Sequence, residues 1–225
     1  MDCEKFGKLC AGLPCLSEAA TMIGSAWLSA DLAAAITWTL SLSPRDRECP
    51  KSPPIPNPAQ SNEFWVQLIF MLGSRSRGKK VYEYVPHLCF AHIEPERDSQ
   101  YQRGFKAEQF DITILVGATS YLDTIPFKRK GSQPSYRCDY HASAFNERRN
   151  YCYCVIDDWL ITIVFRKGVA EEMDVLFEGS DSKHAEVLAA LWELLNRKSR
   201  VALSLEKGTT AAARIARQFE RHLQR

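Results

Sequence analysis

The stretch YCYCVIDDWLITIVFR, residues 151–166, decides the fold. Cys152, Cys154 and Ile156 alternate with Tyr151, Tyr153 and Val155, and after Asp157-Asp158 the alternation resumes. Trp159, Ile161, Ile163 and Phe165 then fall on one face, with Leu160, Thr162 and Val164 on the other. β-Branched and aromatic residues at a period of two mark strands. Because both faces of 159–166 are apolar, this strand must be central and covered on both sides.

Working outward, further runs of the same texture predict strands over 64–72, 80–93, 110–117, 121–127, 136–140 and 173–177. The turn signals between runs are GSRSRG, PERD, KRKGSQP and NERRN. The first two runs, across Gly73–Lys79, form a candidate hairpin. Towards the C-terminus the pattern returns to helical spacing. Residues 182–196 carry Val187, Leu188, Leu191, Trp192, Leu194 and Leu195, a short strand follows at 201–205, and 209–223 is an amphipathic helix.

Six of the 11 prolines fall between Pro44 and Pro58. Proline lacks a backbone donor and fixes φ, so this stretch predicts a stiff, extended spacer. Before it, Ile23, Trp27, Ala30 and Ala34 recur at helical spacing beside a second row of Leu28, Leu32, Ile36 and Leu40. A helix with two adjacent apolar rows must pack on the rest of the chain or on another molecule. The expected architecture is therefore α+β. It comprises an N-terminal helical segment (1–43), a proline-rich linker (44–62) and a globular domain (63–225). That domain has a mainly antiparallel sheet, or two packed sheets, followed by two C-terminal helices that pack on it.

The 225 residues are 45% hydrophobic and 25% charged, too apolar for a disordered chain. A net charge of +2 excludes a globally basic nucleic-acid packager and a globally acidic chaperone. The charge is uneven: residues 181–225 hold nine basic and five acidic side chains. Eight cysteines are too few for a small disulfide scaffold. Glu18 and Asp31 flank and interrupt the apolar N-terminal stretch, which reads as neither a secretory signal nor a membrane span. A soluble intracellular protein, cytoplasmic or nuclear, is expected.

Four constellations could carry chemistry. The densest ligand set is Cys138-x2-His141-x10-Cys152-x-Cys154. Three thiolates and an imidazole are what tetrahedral zinc prefers, so these four are the candidate ligands of a structural zinc. Next, Arg47-x-x-Pro50-x-x-Pro53 overlaps Pro53-x-x-Pro56, the arrangement of cation and prolines that SH3 domains read, and it marks a site for a protein partner. At the C-terminus, Arg214, Arg217, Arg221 and Arg225 recur at three and four, with Ile215, Phe219 and Leu223 on another face. That pattern docks an apolar face and leaves a cationic one for a phosphate backbone or anionic lipid. The basic turns add Arg75, Arg77, Lys79 and Lys80, and Lys128, Arg129 and Lys130. Tyr82, Tyr84, Phe127 and Tyr136 stand near enough in sequence to stack on bases.

The fourth is Leu72-Gly73-Ser74-Arg75-Ser76-Arg77-Gly78, which resembles the glycine-serine turn of the nucleotidyltransferase superfamily. The resemblance implies a nucleotide's phosphates on the turn and metal-binding carboxylates on a later strand. Asp111 occupies one such place, Thr113 stands where the second carboxylate would be, and Asp157 or Asp158 supplies the third. No G-x-S-x-G, H-E-x-x-H, Walker loop or G-x-G-x-x-G is present. These features favour a non-enzymatic accessory protein that binds RNA or DNA. Two alternatives stand beside it: a degenerate nucleotidyltransferase-like nucleotide-binding protein, and an adaptor using the N-terminal helix and proline spacer.

Overall fold

Strands that are apolar on both faces need cover on both faces, and the architecture meets that need asymmetrically. The computed structural model describes residues 55–76, 78–117, 120–130, 136–140, 149–179, 184–208 and 210–223, with backbone alone for 127–130, 136–140, 184 and 223. The helical segment expected over 1–43 and the linker through residue 54 lie outside the described residues, as do Arg77, His141 and Arg225.

The elements in chain order are α1 (Pro58–Gly73), β1 (Lys80–Val85), α2 (Phe90–Ile93), α3 (Pro95–Ala107), β2 (Asp111–Val116), α4 (Tyr121–Lys130), β3 (Tyr136–Tyr140), β4 (Tyr151–Ile156), β5 (Trp159–Val164), α5 (Lys167–Glu178), α6 (His184–Asn196), β6 (Ala202–Lys207) and α7 (Thr210–Leu223). The fold is α+β, with one six-stranded sheet in the order β3-β2-β1-β4-β5-β6. Three of its five ladders are antiparallel, β1–β4, β4–β5 and β5–β6. The other two are parallel, because α2 and α3 separate β1 from β2 and α4 separates β2 from β3.

β5 is internal, as its two apolar faces require. It pairs Ile161 with Cys154 on one side and with Leu205 on the other. On one face, Ile112, Ile114, Cys154, Ile161 and Ile163 join the main core with Ile69 of α1, Phe177 of α5, and Leu191 and Leu195 of α6. On the opposite face, Tyr84, Leu115, Tyr153, Val155 and Leu160 pack on Ala212, Ile215 and Phe219 of α7. The two C-terminal helices thus cover opposite faces of the sheet.

Several expected strands are helices. Residues 64–72 belong to α1, whose N-cap Asn57 accepts a bond from the Gln60 amide at 2.9 Å. Pro58 stands at the start of that helix, where its missing donor costs nothing, so the linker ends before residue 58 rather than at 62. The hairpin across Gly73–Lys79 is accordingly absent: a helix precedes the turn and a strand follows it. β1 stops at Val85, just before Pro86, and 90–93 turn into α2. Residues 121–127 lie in α4 and 173–177 in α5, and Lys128–Lys130 close α4 rather than forming a turn. Among the described residues no helix is long and apolar enough to cross a membrane.

Candidate nucleic-acid interface

α7 follows the β5–β6 ladder through Gly208, whose φ of 62° lies in the left-handed region that glycine adopts without strain. The Gly208 amide bonds the Asp158 carbonyl at 2.8 Å, tying the start of α7 to the β4–β5 turn. Alanines at 211–213 and 216 favour the helix, and period 3.6 does the rest. Phe219 is 0% exposed and stacks on Tyr82 with ring centroids 5.5 Å apart, and Ile215 is buried beside it. Arg214, Arg217 and Arg221 are all exposed. The Nε of Arg217 donates to the Ala213 carbonyl and that of Arg221 to the Arg217 carbonyl, each at 3.2 Å. Among the described residues none of the three arginines is ion-paired. At spacings of three and four, the three exposed side chains share one face of α7.

The other basic candidates are more dispersed. Arg75 and Lys80 are exposed. Lys79 is half-buried, its ammonium 5.1 Å above the Phe110 ring and 3.8 Å from Glu108. The register Val81–Ile156–Trp159–Lys207 runs across four strands and brings Lys207 to the end of the sheet where β1 begins, which is also where α7 starts. Asp111, opposite Lys80, and the Asp157-Asp158 turn share that end, so its charge is mixed. The backbones of Lys128, Arg129 and Lys130 lie at the end of α4. Tyr84 is 1% exposed and has no face open to a base, contrary to expectation, and Tyr82 lies beneath α7.

In the segment that resembles a nucleotidyltransferase turn, consecutive amides are already bonded. Ser74 donates to Phe70 O at 2.9 Å, Arg75 to Leu72 O at 3.1 Å and Ser76 to Gly73 O at 3.1 Å. These bonds finish α1 in the usual way for a helix C-terminus. Asp111 is exposed at the first position of β2, Thr113 is buried, and Asp157 accepts from Ser76 Oγ at 2.9 Å.

Of the four candidate zinc ligands, Cys138 and Cys154 lie on strands that are not neighbours. Cys138 pairs with Ile114, Ile114 with Glu83 and Glu83 with Cys154, so three ladder spacings separate the two cysteines. At about 4.8 Å per spacing their backbones are roughly 14 Å apart. Sulfurs sharing one zinc lie within about 4 Å of each other. Cys152 and Cys154 are buried in the core, where burial pushes both thiols well above their ordinary pKa. Among the described residues no group of three or more His, Cys, Asp or Glu is placed to hold a metal ion.

One polar cluster has no signature in the sequence. His87, just beyond β1, places Nδ1 2.9 Å from Asp123 Oδ2 and Nε2 2.9 Å from Asp174 Oδ1. Asp123 also accepts from the Leu88 amide at 2.8 Å and from Ser120 Oγ at 2.7 Å. Arg149 Nη2 donates to Asp174 Oδ1 at 2.8 Å, and its Nε makes a charge contact with Oδ2 at 2.8 Å without the alignment of a hydrogen bond. The His87 ring stacks on Phe177 at 4.1 Å. Burial alone would lower the imidazole pKa, yet the bonds to Asp123 and Asp174 and their charges raise it. Burial likewise pushes the Asp174 pKa up, but His87 and Arg149 outweigh it and hold it below the ordinary value. With both ring nitrogens engaged by carboxylates, and Ser120 bonded to Asp123 rather than to the ring, the arrangement is a buried ionic clamp. It lacks the serine–imidazole bond of a nucleophilic triad.

No protein-family model matches the chain, and no curated protein matches it either.

Proposed function

We propose that the protein is a non-enzymatic binding protein that contacts the phosphate backbone of RNA or DNA through the arginine face of α7. The observation that carries this reading is the row of Arg214, Arg217 and Arg221, exposed and without an ion pair among the described residues. From the first to the last, the row covers about 10 Å of helix axis, roughly three 3.4 Å steps along one nucleic-acid strand. Guanidinium groups meet phosphate oxygens through two parallel bonds, which favours arginine over lysine at such a surface. Arg75 and Lys80, at the end of the sheet where α7 begins, add contacts, as would Arg225 beyond the last described turn.

A lipid surface offers the same phosphate chemistry, but an interfacial helix inserts its apolar face between headgroups. Here that face is already occupied, with Ile215 and Phe219 buried on the sheet. Nucleic acid is therefore the better match. Fluorescence anisotropy at low salt, with labelled single-stranded RNA and duplex DNA, tests the reading against sedimentation with vesicles rich in phosphatidylserine. Binding to either nucleic acid that weakens at least tenfold in Arg214→Gln/Arg217→Gln/Arg221→Gln is the expected result. Binding to vesicles alone, or nucleic-acid binding indifferent to the triple change, would overturn it.

A further inference from the structure

We propose that the apolar N-terminal segment Leu16–Leu42 docks in cis into the groove between α5 and α6. This groove, of about 1020 Å³, is lined in part by Val175, Leu176, Ala190, Trp192 and Leu194. Val175 is 69% exposed and Trp192 50%, unusual for side chains of their size. Arg197 just past the end of α6 bonds Glu172 of α5 at 2.7 Å, which fixes the spacing of the two helices at one end of the groove.

The path of the chain names the occupant. Val201 N donates to Ile55 O at 3.0 Å and Ser199 N to Pro56 O at 2.8 Å. Ile55 and Pro56 are therefore held just beyond the end of α6, where Asn196 and Arg197 line the groove. The proline-rich residues 43–54 reach about 37 Å when extended at 3.1 Å per residue. That is about twice the 18 Å length of α5. The segment beyond them carries two adjacent apolar rows, Ile23, Trp27, Ala30 and Ala34 beside Leu28, Leu32, Ile36 and Leu40, more than a solvent-facing helix leaves open. A short tether holds such a segment at a millimolar effective concentration, well above a second copy at micromolar protein.

Hydrogen–deuterium exchange on the full-length chain, at two protein concentrations and with the oligomeric state read by sedimentation, tests this. Amides of 16–42 should exchange at least about tenfold more slowly than in an unstructured chain, equally at both concentrations. Val175→Asp/Trp192→Asp should abolish that protection while Ile161 and Ile163 stay protected. If that variant loses β5 protection as well, Leu32→Asp/Ile36→Asp decides the matter, and amides of α5 and α6 along the groove must then exchange faster. Unprotected 16–42 amides in the natural chain overturn the proposal. So does protection that survives the decisive variant, or protection that rises with concentration alongside a dimer, which assigns the groove to a second copy.

Discussion

His87 Nδ1 stands 2.9 Å from Asp123 Oδ2, a buried bond that fastens the end of β1 to the first turn of α4. Through Asp174 the same ring also reaches α5 and Arg149, so one imidazole joins four parts of the chain.

Asp123→Asn removes one of the two carboxylates on the buried His87 ring, and should cost about 3 kcal/mol in denaturant unfolding below pH 6.5, where the ring is charged. The pH dependence has a definite sign. The His87 pKa is raised above 6.5, so its contribution is complete below pH 6.5 and is lost as pH rises through the higher folded value. The Asp174 pKa is held below 3.8, so its contribution is complete above pH 3.8 and is lost as pH falls through the lower folded value. Both are in force between those limits. Melting temperature against pH should fall on the alkaline side in the natural protein, and His87→Gln should remove that part of the fall. An identical alkaline profile in His87→Gln would separate the clamp from stability.

α7 divides its work between two faces. Phe219→Ala removes a fully buried ring and should destabilise by about 3–5 kcal/mol. Arg214→Gln/Arg217→Gln/Arg221→Gln should alter stability by less than about 0.5 kcal/mol per site, since exposed charges contribute little. Urea midpoints of the two variants check this contrast.

The thiols provide a third check. Burial pushes the Cys89 thiol up to about 12 and those of Cys152 and Cys154 well above the ordinary value. Thiolate, the reactive form, is therefore scarce at all three. Iodoacetamide at pH 8 followed by peptide mass spectrometry should leave these cysteines unmodified in the folded protein and alkylated in guanidinium. Rapid labelling of Cys152 or Cys154 in the folded state would contradict their placement in the core.

Much of the sheet could be read from the chain. β2, β4 and β5 show themselves because β-branched residues alternate, and α6 and α7 because apolar residues recur at three and four. Residues 64–72 misled for a physical reason. Within 64–72 Gln67 is the single polar residue, so the run taken alone reads as a buried strand, whereas the polar row of α1, Gln60, Glu63 and Gln67, begins before it in residues assigned to the linker. The parallel half of the sheet stayed hidden with it, since 121–127 also form a helix rather than a strand. The arginine row was legible because helical periodicity is local. The His87 cluster was not, because its carboxylates lie 36 and 87 residues away and only the tertiary fold brings them together.

The salt dependence of nucleic-acid binding tests the central claim most directly. For duplex DNA, log K should fall linearly with log salt, and each phosphate contact contributes a slope of about 0.9. If Arg214, Arg217 and Arg221 each neutralise one phosphate, the triple glutamine variant should lose roughly 2.7 units of slope along with its affinity. The single-strand loss, at about 0.7 per contact, should be near 2. A folded triple variant that keeps the natural slope and affinity would contradict the assignment of α7 as the nucleic-acid interface.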